Sequence, residues 1–281
     1  MTTVIDSYTI GPLRLQILAA TSSCADHPSV TVVAPNGWHI LGGGAFVHWE
    51  DGVCTTPPAP GNLLTAMYPA SATVWQANSK DHELVSPAQI TGYCIAAQMQ
   101  NGTSIPPGAY QIVSRDSAVA NHPSITATLP AGWVLVGGGA RANYGTGAGQ
   151  LLYASVPGGN TSVRNGGNSW FAASKDHDVA DPATVTAFAI GLTATFLAGA
   201  GLAVIYQSYS APCATHWPWA TLIVPGFHLS GGGAQDNWTG NGNLLTASFP
   251  QDRQTWRARG KDHVVSDPST ITAWGIGLVP A

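Results

Sequence analysis

Every lysine of this 281-residue chain lies in one tripeptide, Lys80-Asp81-His82, and in its two copies, Lys175-Asp176-His177 and Lys261-Asp262-His263. A carboxylate accepts hydrogen bonds from hydroxyls while an ammonium or imidazole donates them, so the element can build the same polar ligand pocket three times. If the segment from Trp75 is extended, Trp75, Ala77, Ser79 and Asp81 share one face, with Lys80 and His82 on the other. The competing reading is structural: Trp75 fills the core, Asp81 bonds the turn into Ser86-Pro87, and Lys80 stays in solvent.

Two further sets recur with it. His27, His122 and His216 each open the second strand of a unit, whereas Lys-Asp-His closes the fifth, so the two can meet at one end of a sheet. A histidine hydrogen-bonded to the neighbouring aspartate is the expected result. Three such histidines on a shared axis would suit zinc, copper or iron, but no element carries metal-ligand spacing, so no metal and no cofactor is expected. The other set is Trp49, Tyr144 and Trp238, at the mouths of loops 55–61, 145–149 and 239–242, with Asn62, Gln150 and Asn243 closing those loops. An aromatic ring covers the C–H face of a sugar while amides and carboxylates bond its hydroxyls. Loops on a rigid scaffold are where binding usually resides. All three sets are therefore candidate ligand-binding residues.

Catalytic signatures such as GxSxG, HExxH and the P-loop are absent. Glu50 and Glu83 are the only glutamates, so a glycosidase would have to use aspartates such as Asp81 and its copies. Catalysis needs one centre with differentiated pKa values, whereas identical groups in triplicate suit multivalent binding.

The elements that must position these residues are themselves repeated. Gly42-Gly43-Gly44-Ala45 recurs at 137–140 and 231–234, Leu63-Leu64 at 151–152 and 244–245, and Trp75 as Trp170 and Trp256. The units run over about 8–107, 108–202 and 203–281, leaving no second domain. Turn residues divide each into about six short strands, in the first unit near 13–20, 29–34, 39–49, 63–68, 73–79 and 90–99. The glycines fall inside the third strand, where they permit a bulge or the close approach of another backbone. No helical periodicity persists, so almost no helix is expected. The reading is an all-β chain of three homologous antiparallel units of about 90 residues, forming one pseudo-threefold body and a single domain over 1–281.

In its threefold β repetition and Gly-rich strands the whole chain resembles the β-prism proteins, such as jacalin-like lectins and vitelline membrane outer layer protein. The resemblance implies three antiparallel sheets forming the faces of a triangular prism.

Charged residues make up only 9% of the chain and the net charge is -4, so no basic face is available for nucleic acid. Pro182 to Ala214 carries no charge, and its centre, Val185 to Tyr206, is long enough for a membrane helix. Its counterpart between units one and two contains Gln98, Gln100, Asn101 and the turn Pro106-Pro107-Gly108. Two strands joined at Ala198-Gly199-Ala200-Gly201 are therefore expected, and no transmembrane segment. The N-terminus shows no signal peptide, which fits a cytoplasmic protein or a mature secreted one. Cys24, Cys54, Cys94 and Cys213 allow three pairings or free thiols, and no oligomeric state follows from the sequence. The leading functional reading is a multivalent, lectin-like protein with three equivalent sites for a carbohydrate or glycoconjugate. The alternatives are an enzyme acting through one His and Lys-Asp-His cluster, or a targeting module of a toxin or coat assembly.

Overall fold

The computed structural model describes residues 1–55, 61–145, 149–211, 217–240 and 242–281. Those residues form an all-β protein of three antiparallel sheets. A strand outside the repeat, β1 (Thr3–Ile10), precedes six strands from unit one: β2 (Leu13–Thr21), β3 (Ser29–Val33), β4 (His39–His48), β5 (Asn62–Pro69), β6 (Val74–Asp81) and β7 (Gln89–Met99). Unit two supplies β8 (Tyr110–Asp116), β9 (Ser124–Thr128), β10 (Trp133–Asn143), β11 (Leu151–Gly159), β12 (Gly167–Lys175) and β13 (Thr184–Thr193). After a short helix, α1 (Ala194–Gly199), unit three supplies β14 (Leu202–Ser210), β15 (Trp219–Ile223), β16 (His228–Asn237), β17 (Asn243–Asp252), β18 (Thr255–Asp262) and β19 (Thr270–Pro280).

No sheet belongs to one unit. The orders are β1-β2-β7-β4-β17-β18-β15, β3-β6-β5-β10-β13-β8 and β14-β19-β16-β11-β12-β9. Half the strands of a unit thus lie in one sheet and half in another. The seams between units are short: β4 meets β17 at Ala45↔Ser248, β10 meets β5 at Ala140↔Met67, and β16 meets β11 at Ala234↔Ser155. In each seam the alanine that ends Gly-Gly-Gly-Ala makes the pairing.

The three glycines answer to three different neighbours. A Cβ on Gly42 would lie 2.7 Å from Cα of Gly231, one on Gly231 2.8 Å from Cα of Gly137, and one on Gly137 2.9 Å from Cα of Gly42. The backbones of β4, β10 and β16 therefore touch one another around a closed cycle. A bulge precedes the first glycine in every copy, between Ile40 and Gly42, Leu135 and Gly137, and Leu229 and Gly231. Gly43, Gly138 and Gly232 lie under the indoles of Trp75, Trp170 and Trp256. Gly44, Gly139 and Gly233 press on the backbone carbonyls of Ser248, Met67 and Ser155 across the seams.

Those three tryptophans are fully buried. A buried indole needs an acceptor. Trp75 Nε1 donates to the Gly44 carbonyl at 3.1 Å, Trp170 to Ser155 Oγ at 3.0 Å and Trp256 to Ser248 Oγ at 3.1 Å. Leu63, Leu151 and Leu244, one from each unit, pack as a separate buried cluster. The main core also draws on all three units.

The uncharged stretch forms β13 and β14, as expected, but joined through α1 rather than a plain turn. Thr193 caps that helix, its Oγ1 accepting from Phe196 N at 3.2 Å. Among the described residues no helix is long and apolar enough to cross a membrane. Cys24 and Cys54 form a disulfide, and Cys94 is a buried thiol, while Cys213 lies outside the described residues.

Candidate functional site

The fold brings the lysines and the loop aromatics together across unit boundaries. Lys80, Lys175 and Lys261 sit near the ends of β6, β12 and β18 and are 1% exposed, so the expectation of a solvated lysine is corrected. The cause is tertiary: each ammonium is covered by an aromatic of the following unit. Lys80 Nζ lies 4.1 Å from the ring centre of Tyr144, Lys175 Nζ 4.0 Å from Trp238, and Lys261 Nζ 5.0 Å from Trp49. The ring quadrupole attracts the cation and the contact strengthens as water is excluded. Burial nevertheless favours the neutral amine. It draws Lys80 and Lys175 down to about 8 and Lys261 to about 7, against the pull of neighbouring aspartates.

The aspartates meet the leading histidines. His27 Nε2 lies 3.1 Å from Asp81 Oδ1, and His122 Nε2 lies 3.0 Å from Asp176 Oδ1. The second carboxylate oxygen accepts a turn amide, Ser86 N at 3.3 Å or Asp181 N at 3.2 Å. Each aspartate therefore serves the fold with one oxygen and the surface histidine with the other. His216, the third of the set, lies outside the described residues, as do parts of all three loops, and Asp262 is half-buried beside Lys261.

Asn62, Gln150 and Asn243 are fully buried. Their amides donate to backbone carbonyls of the turns: Asn62 to Ser86 at 3.0 Å, Gln150 to Asp181 at 2.8 Å and Asn243 to Asp267 at 3.1 Å. They tie each loop to the turn after Lys-Asp-His, and in this structure no ligand can reach them directly.

Around the lysine–aromatic pairs the three surroundings differ. Between units two and three, His122, Lys175, Asp176, His177, Asp178 and Trp238 line a pocket of about 280 Å³. His122 stands edge-on to Trp238, with centroids 5.6 Å apart. Between units three and one, Trp49 is only 6% exposed and Trp217 packs against it at 5.6 Å. The Arg259 guanidinium lies 4.9 Å from the same ring and grips the Glu50 carboxylate with both nitrogens, Nη2 to Oε2 at 2.6 Å. Tyr144, between units one and two, is half-buried. The sequence reading missed Arg259 and Glu50. Arg259 holds a place two residues before the lysine where the other copies carry Asn78 and Ala173, and that break in the repeat was the available signal. Asp236 was also missed. Burial raises its carboxyl to about 7, opposed by a hydrogen bond from Ser269 Oγ at 2.7 Å and by Lys175.

The remaining member of the tripeptide forms a centre of its own. His82, His177 and His263 converge, with ring centroids 5.2, 5.3 and 5.3 Å apart, and none is more than 2% exposed. His82 Nε2 bonds the His177 carbonyl at 2.8 Å and His263 Nε2 bonds the His82 carbonyl at 2.7 Å. The residue after each histidine has left-handed backbone: Glu83 at φ 60°, Asp178 at 54° and Val264 at 60°. The next amide bonds back to the histidine carbonyl, as in Leu84 N to His82 O at 2.7 Å. Such three-residue turns are strained, and a β-branched residue at positive φ adds to the cost. Nothing local favours them, so the packed histidines and their carbonyl bonds must hold them in place.

No known family model matches the chain, and no curated protein matches it.

Proposed function

We propose that the protein is a carbohydrate-binding, lectin-like protein whose three units form one pseudo-threefold, β-prism-like body. Three triplets support the single body: the glycines 42, 137 and 231, the leucines 63, 151 and 244, and the histidines 82, 177 and 263, each drawing one member from every unit. The ligand reading rests on the pocket between units two and three, where His122 and Asp176 present hydrogen-bonding atoms beside the apolar wall of Trp238. Its volume lies near the lower end of small-ligand pockets, about 300–1,000 Å³, which suits a single sugar ring rather than an extended chain. The Cys24–Cys54 disulfide fits an oxidising compartment, where glycoconjugates are displayed.

The three sites are not equal in this reading. The unit-two/three pocket is open to solvent, while Trp217, Arg259 and Glu50 pack around Trp49. Calorimetric titration with sugars chosen from a glycan array should therefore give saturable binding that Asp176→Asn and Trp238→Ala each weaken at least about tenfold, or roughly 1.4 kcal/mol. Absence of binding to any saccharide, or unchanged affinity in both variants, would sink the proposal.

A further inference from the structure

We infer that the three-histidine centre is a binding site for one divalent transition-metal ion of the zinc class, with His82, His263 and Glu83 as its ligands. One ligand atom from each of these residues lies within 4.8 Å of the other two. Glu83, His177 and Asp178 meet the same limit, so the two groups share Glu83 and surround one small volume. Two imidazoles and one carboxylate are a set that zinc accepts, with a further coordination position left for water.

Three other observations point the same way. A metal-ligating histidine commonly donates its second ring N–H to a backbone carbonyl, which fixes its tautomer and raises its basicity. His82 and His263 bond the carbonyls of His177 and His82 through Nε2, and His82 Nε2 also lies 3.3 Å from His177 Nδ1 and 3.8 Å from Glu83 Oε1, so both rings are held in orientation by the histidine turns. The buried Nε2 of His177 has no hydrogen-bond partner, which is costly for a ring nitrogen in the interior. Metal–nitrogen bonds of about 2.0–2.1 Å at tetrahedral angles place imidazole centroids roughly 5 Å apart, close to the 5.3 Å between His82 and His263.

The surroundings suit an ion as well. Leu84, Val85, Val179, Val264 and Val265 follow the histidines in sequence and are exposed apolar side chains. The strained backbone at Glu83 and Asp178 carries two carboxylates to the histidines, and these offset the charge of the ion and of the nearby Lys175 and Lys261.

The site adjoins the sugar pocket, whose lining includes His177 and Asp178, and it is tested without any saccharide. The full chain, stripped with a chelator and dialysed, is titrated with zinc chloride by calorimetry, and bound metal is counted by mass spectrometry after desalting. One zinc per chain is expected, with affinity at least tenfold lower in Glu83→Gln, whose partly exposed side chain can be changed without opening the core. His263→Asn should show the same loss, and zinc should raise the Tm of the wild type but not of Glu83→Gln. Failure of the wild type to bind zinc, or equal affinity in the wild type and Glu83→Gln, would overturn the assignment.

Discussion

Gly44→Ala is expected to abolish folding or to remove most of the stability, while Gly199→Ala is expected to be neutral or slightly stabilising. A Cβ on Gly44 would overlap the Ser248 carbonyl oxygen and lie 2.9 Å from Cα of Phe249. Both obstacles are backbone, so no rotamer change relieves the clash, and β4 must separate from β17 at the seam between units one and three. Overpacking a core with one methyl group typically costs about 1–3 kcal/mol when side chains can adjust. Here they cannot, and we expect more than about 3 kcal/mol, against a total stability of roughly 5–15 kcal/mol for a native protein. Nothing lies within 4 Å of a Cβ at Gly199, which ends α1, so the comparison separates the effect of glycine loss from that of close approach. Urea unfolding followed by tryptophan fluorescence measures both. Equal midpoints for Gly44→Ala and wild type would mean that the seam is not packed as described.

Stability is expected to rise between pH 7 and pH 9, the reverse of the plateau usual for a soluble domain. Burial lowers the folded-state pKa of Lys261 to about 7 and of Lys80 and Lys175 to about 8, whereas the unfolded lysines titrate near 10.5. Between those values the unfolded chain binds protons that the folded chain has released, so raising the pH favours the fold. Full conversion of these shifts would overstate the gain because water screens the less enclosed ammoniums, and we expect about 2–4 kcal/mol over this window. The rise ends at higher pH. Burial raises the Cys94 thiol and the Tyr8, Tyr110 and Tyr206 phenols, so their ionisation in the unfolded chain begins to oppose the lysines. On the acid side His263, lowered to about 3, removes stability as the pH falls from about 6.5. Urea titrations at pH 7 and pH 9 test the alkaline limb, and Lys261→Met should flatten it more than either other lysine substitution. A wild-type stability that is level or falls between pH 7 and pH 9 would show that the lysines are hydrated.

The interpretation of Lys-Asp-His changes with these contacts. A single motif carries three separate tasks, with lysine packing under the neighbouring unit's aromatic, aspartate linking a turn to a surface histidine, and histidine joining the central cluster. Alternation along an extended strand placed Lys80 and His82 on one face, and that part was legible. Which face would be covered was not, because the ring that buries Lys80 belongs to Tyr144 of unit two.

Strand positions were read from the sequence to within about two residues, since the turn residues and the repeat are local signals that three copies reinforce. β1 escaped because it lies outside the repeat and has no second copy to align, and Val4 and Ile5 on it are exposed. The sequence by itself determined the all-β character, the strands and the residue types that recur. Only the tertiary structure decided that each sheet mixes two units, that Lys261 is buried against Trp49, that Asn62 faces a turn instead of solvent, and that histidines 82, 177 and 263 meet while His27 and His122 pair with aspartates. The reason is range. Strand formation depends on neighbours a few residues away, whereas burial of a charge or convergence of three rings depends on partners from other units, which no local pattern specifies.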